Sequence, residues 1–212
     1  VKGIVLIGGK SPDFELVKQE IDSADVIIAA DSGLDYAVRN KINVDYIVGD
    51  MDSIENKNLL DEYPSEIIEV YPEEKEETDT EIGIRVMQKM GSEKISIIGG
   101  GGGRLDHLIG ILFLFEREKP PYQWINHSYQ VIAILDTMEM AVKEGETISF
   151  FPLGCIPCTM KSHGLKWELD GLVWKRGDMG ISNSAVNKKV SVEMKTGRII
   201  MVREMRKENG RE

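Results

Sequence analysis

The fold class this sequence predicts is an α/β domain with a doubly wound, mainly parallel sheet, followed by a small all-β sandwich. Three observations carry it. From residue 2 to about 120, apolar runs of strand length alternate with amphipathic stretches of helix length. After Pro120-Pro121 that beat gives way to short strand-like segments at close spacing. Glycines and prolines, rather than helices, separate those later segments. The expected division is 1–134 and 135–212.

The strands of the first half are G-I-V-L-I (3–7), V-I-I-A-A (26–30), Y-I-V (46–48), E-I-I-E-V (66–70) and I-S-I-I (95–98). Continuous branched apolar runs with helices between them mean parallel strands covered on both faces. Helices are expected near 13–22, 34–40, 55–62, 79–90 and 105–118. In the fourth, Ile82, Val86 and Met90 recur every four residues and form an apolar stripe. In the second half, strands are expected near 130–135, 138–143, 146–152, 157–162, 190–195 and 198–203, broken by Gly145, Pro152, Gly154, Pro157 and the T-G turn at 196–197. The stretch 164–189 is glycine-punctuated and carries no period that assigns it. The closing R-K-E-N-G-R-E reads as a frayed end.

At 212 residues, the chain can bury a sizeable core. Its 42% hydrophobic residues are spread among 29% charged ones, leaving no apolar run of membrane-spanning length. The first strand begins almost at once, so no cleavable leader is expected. These readings predict a cytoplasmic protein with no membrane partner. The formal charge of −10 argues against nucleic acid, which needs a basic face. That charge is uneven: residues 1–134 hold 13 Lys+Arg against 25 Asp+Glu, and residues 135–212 hold 13 against 11. Carboxylates gathered in one half suit a divalent cation as well as a solvated surface. Cys155 and Cys158 form a lone C-x-x-C in a strand-like stretch, without the second pair a zinc site needs, and a packing role is expected.

Ligands of a parallel α/β sheet bind beyond the carboxyl ends of its strands, and here those ends are acidic. The second strand runs into A-A-D-S-G (Asp31, Ser32, Gly33) and the third into G-D-M-D-S (Asp50, Asp52, Ser53). The fourth is followed by E-K-E-E-T-D-T-E (Thr78, Asp79) and the fifth by G-G-G-G-G-R-L-D-H (Gly99 to His107). Taken singly, Asp31 and Asp79 suit helix N-caps, and Asp50 and Asp52 suit turns. Ser, Thr or Asn would serve those purposes equally well, so four acidic positions along one edge call for a further cause. A hard divalent ion among the carboxylates supplies it, and magnesium commonly completes its shell with substrate phosphates. The glycines let backbone N–H groups approach those phosphates, and Arg104 adds a bidentate grip. No G-x-x-x-x-G-K-[ST] is present, and a G-x-G-x-x-G beginning at Gly99 fails at Arg104.

In this ordered set, with G-L-K-W (164–167) and G-I-S-N (180–183) in the second half, the sequence resembles the thiamine pyrophosphokinases. The resemblance implies an α/β nucleotide- and metal-binding catalytic domain, a β-sandwich for thiamine binding and dimerisation, and a homodimer with active sites between subunits. It implies ATP-dependent transfer of a pyrophosphoryl group to the hydroxyethyl group of thiamine, with Mg2+, giving thiamine diphosphate and AMP. By matching position, Asp50, Asp52 and Asp79 would hold the metal with Asp31 beside them. Arg104 and Gly101, Gly102 and Gly103 would hold the phosphates, with Ser32, Gly33, Thr78 and His107 nearby. Asp106 would face the reacting end of thiamine and is the candidate base, so Asp79, Arg104 and Asp106 form the expected catalytic set. Ser182 and Asn183 would line the ring pocket. The motif departs from the family at Glu76, where an aspartate is usual. No aromatic follows S-N, which leaves Trp167 and Trp174 as candidates to stack on thiamine. The rival readings are a pyrophosphokinase acting on another alcohol, such as a hydroxymethylpterin, and a non-catalytic nucleotide sensor.

Overall fold

The structure, a computed structural model, describes residues 1–205; the frayed end expected over 206–212 lies outside the described residues. The chain forms two compact units, residues 1–111 with 121–128, and residues 112–120 with 129–205.

In the first unit, strands β1 (Lys2–Leu6), β2 (Val26–Ala30), β3 (Tyr46–Gly49), β4 (Ile68–Val70), β5 (Lys94–Ile98) and β6 (Gln123–Ile125) lie in the order β4-β3-β2-β1-β5-β6. All neighbouring pairs are parallel. Helices α1 (Phe14–Asp22), α2 (Gly33–Arg39), α3 (Asp79–Lys89) and α4 (Leu105–Leu114) alternate with them. Branched side chains fill the sheet: Ile4, Val5, Leu6, Ile28, Ile47, Val48, Ile97 and Ile98 have no exposure. The chain steps outward from β1 to β4 and then returns to place β5 on the other side of β1. The order therefore reverses between β1 and β5, which is where a crevice opens in such sheets.

Helix starts follow local chemistry. Asp13 accepts from Glu15 N (3.1 Å) to cap α1. Thr78 caps α3 in a reciprocal box with Glu81, through Glu81 N to Thr78 Oγ1 (3.3 Å) and Thr78 N to Glu81 Oε2 (2.8 Å). The buried residues of α3 are Ile82, Gly83, Ile84, Val86 and Met87 rather than a row ending in Met90, which caps the helix C-terminus.

Two helix expectations are corrected. Residues 55–62 give only a 3-10 turn (Lys57–Glu62) with no buried residue, and a segment without an apolar face to bury cannot hold an α-helix. Helix α4 stops at Leu114 instead of running to 118, because the polar Glu116–Lys119 stretch precedes two prolines.

The second unit holds two antiparallel sheets, in line with the expected fold class. One has the order β12-β9-β14-β7, from β7 (Tyr129–Ile134), β9 (Thr147–Leu153), β12 (Gly180–Ser184) and β14 (Arg198–Glu204). The other is four-stranded, β11-β10-β13-β8, from β8 (Thr137–Ala141), β10 (Cys158–His163), β11 (Val173–Trp174) and β13 (Lys189–Thr196). By their contacts, strand β7 and residues 112–120 belong to this unit. Cys158 is buried and its thiol donates to Arg198 O (3.1 Å), while Cys155 is exposed. Among the described residues, no helix is long and apolar enough to cross a membrane.

Candidate active site

Three of the four acidic strand ends converge. Carboxylate oxygens of Asp31, after β2, Asp50, after β3, and Asp79, at the start of α3, lie within 4.8 Å of one another. The backbone is bent to achieve this. Asp31 and Met51 hold left-handed φ angles of 47° and 62°, costly for residues with side chains and a common mark of functional sites. Between them stands Gly49 (φ 135°), where a Cβ would lie 3.1 Å from Asp79 Oδ1 and 3.2 Å from Asp31 Cβ. A side chain there would wedge the cluster apart.

Neither Asp31 nor Asp79 serves as a helix cap. Thr78 takes that role for α3, and the residue before α2 is Ser32, which makes no side-chain cap bond. Asp52 lies outside the close group: its carboxylate is exposed and accepts from Ser53 Oγ (2.7 Å), while its N–H donates to Asp50 Oδ1 (3.2 Å).

A residue absent from the expected set stands among the carboxylates. Lys75 Nζ is 2.5 Å from Asp50 Oδ2 and 3.2 Å from Asp79 Oδ1, with only 12% of its side chain exposed. The Lys75 hydrogen bond holds the Asp50 carboxyl below the ordinary carboxylate range. Burial pushes Asp79 up by more than Lys75 pulls it down. Burial alone would lower the Lys75 ammonium, but its bonds to both aspartates outweigh that and raise it. Three carboxylates and one ammonium leave a charge of about −2, and the buried Asp79 Oδ1 is met by the Lys75 ammonium at 3.2 Å. An all-oxygen set of three carboxylates that keeps a net negative charge fits a hard divalent cation.

After β5, Gly99, Gly100, Gly102 and Gly103 take φ angles of 117°, 69°, 65° and 77°. At Gly99 a Cβ would stand 2.2 Å from Ile7 O, so the run lies directly against the chain leaving β1. Arg104 and Asp106 follow at the start of α4, exposed and paired to each other through Nε to Oδ1 (3.1 Å) and Nη2 to Oδ2 (2.5 Å). Arg104 holds Asp106 below the usual carboxylate range. His107 is exposed on the first turn.

In the second unit, Ser182 holds a left-handed φ of 61° on β12. Its neighbour Asn183 is 5% exposed, and its amide clamps the G-L-K-W segment. Asn183 Nδ2 donates to Trp167 O (2.7 Å), and Oδ1 accepts from Trp167 N (3.2 Å) and Ser184 N (2.8 Å). The two tryptophans separate clearly. Trp174 is buried beneath Gly180, where a Cβ would meet its ring at 2.6 Å. Trp167 is 56% exposed, with Lys166 Nζ 4.6 Å from its ring centroid.

Parallel strands whose ends gather carboxylates beside a glycine run mark an enzyme of phosphoryl-group transfer. Comparison with known proteins narrows the class. Residues 17–124 match the profile of the thiamin pyrophosphokinase catalytic domain, and residues 134–199 that of the thiamin pyrophosphokinase vitamin B1 binding domain. The chain belongs to the thiamin pyrophosphokinase family, and its activity is pyrophosphoryl transfer to thiamine. Similar solved structures include thiamine pyrophosphokinase from Bacillus subtilis, at 21% identity and TM-score 0.79, covering 96% of this chain and 99% of that one. A thiamin pyrophosphokinase family protein from Enterococcus faecalis is 18% identical with TM-score 0.78, covering 98% and 100%. Yeast thiamin pyrophosphokinase is 17% identical with TM-score 0.67, covering 96% and 86%. At these identities the likeness speaks to the fold. Comparison with curated proteins gives no match.

Proposed function

We propose that the donor is ATP, that the cation of the acidic cluster is Mg2+, and that the products are thiamine diphosphate and AMP. The observation that carries this reading is the convergence of the Asp31, Asp50 and Asp79 carboxylates, whose oxygens lie within 4.8 Å of one another. These three residues would hold Mg2+, with Asp52 turning in from the solvent side. Bound there, Mg2+ neutralises charge on phosphate oxygens.

The chain's own groups do the rest. Gly102 and Gly103 present backbone N–H groups to the phosphates, while Gly101 anchors the run through its N–H to Lys10 O; Ser32, Gly33, Thr78 and His107 complete the proposed substrate-binding set. Arg104 leaves Asp106 for the phosphates, where a guanidinium binds two oxygens at once. That exchange has a consequence for the base. Freed of Arg104, the Asp106 carboxylate regains its basicity and accepts the proton of thiamine's hydroxyl. The hydroxyl oxygen forms a bond to the β-phosphorus while the bond from that phosphorus to the α-phosphate bridging oxygen breaks, and AMP leaves. Positioning and charge neutralisation are the main demands of such a step.

For thiamine, the exposure of Trp167 and the burial of Trp174 favour Trp167 as the face on which the cationic ring stacks, beside Ser182. Asn183, its amide engaged by the Trp167 backbone, acts as the clamp that positions that ring. Trp167→Ala is expected to raise the KM for thiamine roughly tenfold with little change in kcat, in keeping with the worth of a desolvated cation–π contact. Equal loss in kcat and kcat/KM would place Trp167 at the chemical step instead.

A homodimer with active sites between subunits belongs to the same proposal. Its support is a row of exposed apolar residues on α4, Leu105, Ile109 and Phe113 at four-residue spacing.

The deciding experiment mixes purified protein with ATP, Mg2+ and thiamine and resolves the products. AMP with thiamine diphosphate is expected. ADP with thiamine monophosphate would refute pyrophosphoryl transfer, and AMP release only with a pterin alcohol would reassign the acceptor.

A further inference from the structure

The second unit carries an exposed tryptophan on a segment that is otherwise tied down along its length. Residues 164–169 leave the end of β10 and lead toward β11. Leu165 and Leu169 are buried, each 2% exposed, and Trp167 between them is 56% exposed. Gly164 makes this course possible, since at its φ of 93° a Cβ would stand 2.3 Å from Lys189 O at the start of β13.

Two separate groups do the tying. One comes from β12: the Asn183 amide engages the backbone of Trp167 on both sides, and beside it Lys166 N donates to Ser184 O (2.8 Å). The other lies within the segment. Glu168 Oε1 accepts from Gly164 N (2.9 Å) and Leu165 N (3.3 Å), while Oε2 accepts from the Ser162 hydroxyl. The oxygen of that hydroxyl accepts in turn from Leu169 N (2.7 Å). One carboxylate thus joins the chain before Lys166-Trp167 to the chain after it, in a closed ring of hydrogen bonds.

What this ring holds decides its meaning. The two buried leucines already anchor the segment at its ends, and the residue fixed between them leaves most of its own surface in water. An exposed loop that must be ordered when a ligand arrives binds more weakly by the cost of that ordering, whereas an aromatic on a fixed backbone meets its ligand without it. Both oxygens of Glu168 are occupied by the chain itself, so it acts on a ligand through what it keeps in place.

We propose that Glu168 is a positioning residue for thiamine: it closes the 162–169 loop so that the exposed face of Trp167 stands preformed for the cationic ring, and it governs thiamine affinity through Trp167 rather than by contact. The proposal rests on the reading above in which Trp167 stacks on thiamine.

The test is a double-mutant cycle read in the KM for thiamine, the KM for ATP and kcat, with wild type, Trp167→Ala, Glu168→Ala, Glu168→Gln and the Trp167→Ala/Glu168→Ala pair. Glu168→Ala is expected to raise the KM for thiamine roughly 3- to 10-fold, the effect of ordering a side chain and its loop on binding, with kcat and the KM for ATP within about twofold of wild type. Those two unchanged values also show that the variant is folded. Glu168→Gln should recover most of the loss, because its amide oxygen accepts from the Gly164 and Leu165 N–H groups and its NH2 donates to the Ser162 oxygen. With Trp167 already replaced by alanine, Glu168→Ala should add nothing, since the ring to be positioned is gone. Ser162→Ala removes one tie and leaves the carboxylate on the backbone; it should move the KM for thiamine in the same direction by a smaller factor, and it takes the place of Glu168→Ala in the cycle if that variant does not fold. An unchanged KM for thiamine in Glu168→Ala, or an undiminished effect in the absence of Trp167, would overturn the assignment, while a raised KM in Trp167→Ala alone would leave the stacking reading in place. A KM for thiamine unchanged in Trp167→Ala would overturn that reading itself, and this inference with it.

Discussion

Asp50→Asn should lower kcat by about 10³-fold, roughly 4 kcal/mol of transition-state stabilisation, while the protein stays folded. The charge lost belongs to the most completely enclosed part of the site, where the Asp50 side chain is 12% exposed and meets Lys75 at 2.5 Å. An amide has the same shape but donates where a cation needs an acceptor, so ligand charge falls without a gap in packing. Lys75 keeps Asp79 as partner, which preserves the local fold. Turnover at saturating ATP, thiamine and Mg2+ should be read beside a Mg2+ titration and far-UV circular dichroism. A variant with wild-type turnover would remove Asp50 from the metal site. Asp79→Asn should behave alike, because its carboxylate supplies another oxygen of the same cluster.

How much of this was legible follows from which forces act locally. Strands β1, β2, β3 and β5 declare themselves because unbroken branched apolar runs have few other uses, whereas β6 escapes notice as three residues behind a proline pair. Asp31, Asp50 and Asp79 are readable as a series because topology alone carries parallel strand ends to one edge. Asp52 shares their motif, yet a left-handed Met51, itself buried, sends its carboxylate to solvent; neither feature shows in the letters G-D-M-D-S.

Lys75 stands in E-E-K-E-E, a run that reads as solvated surface, and only the fold reveals that this one side chain turns inward. Asn183 is found by its motif, but its motif cannot say that both ends of the amide are engaged by Trp167.

The second large effect concerns Lys75, and it is one of stability rather than rate. Without a cation, the ammonium of Lys75 is what allows Asp50 and Asp79 to stay ionised side by side, and Lys75→Met removes it. Breaking a largely buried pair from one side strands the remaining charge; allowing for partial exposure, the metal-free variant should lose about 2–3 kcal/mol at pH 7. For a chain of this size that is on the order of 5–10 °C in the first unfolding transition. The dependence on pH has a definite sign. Asp50 loses the partner that lowers it, and Asp79, already raised by burial, loses the partner that opposes that rise. Asp79 then stands further above its unfolded value and Asp50 less far below its own, so the variant loses less, or gains more, than wild type on binding protons. The deficit against wild type should therefore narrow as the pH falls from 7 toward 5. Mg2+ should narrow it as well, since a ligand that binds only the folded state stabilises it in proportion to the logarithm of its concentration. Thermal melts in chelator and in millimolar Mg2+ at both pH values make the comparison. Melting equal to wild type in chelator at pH 7 would mean that the carboxylates tolerate one another without Lys75, and that its place in the cluster has no energetic weight.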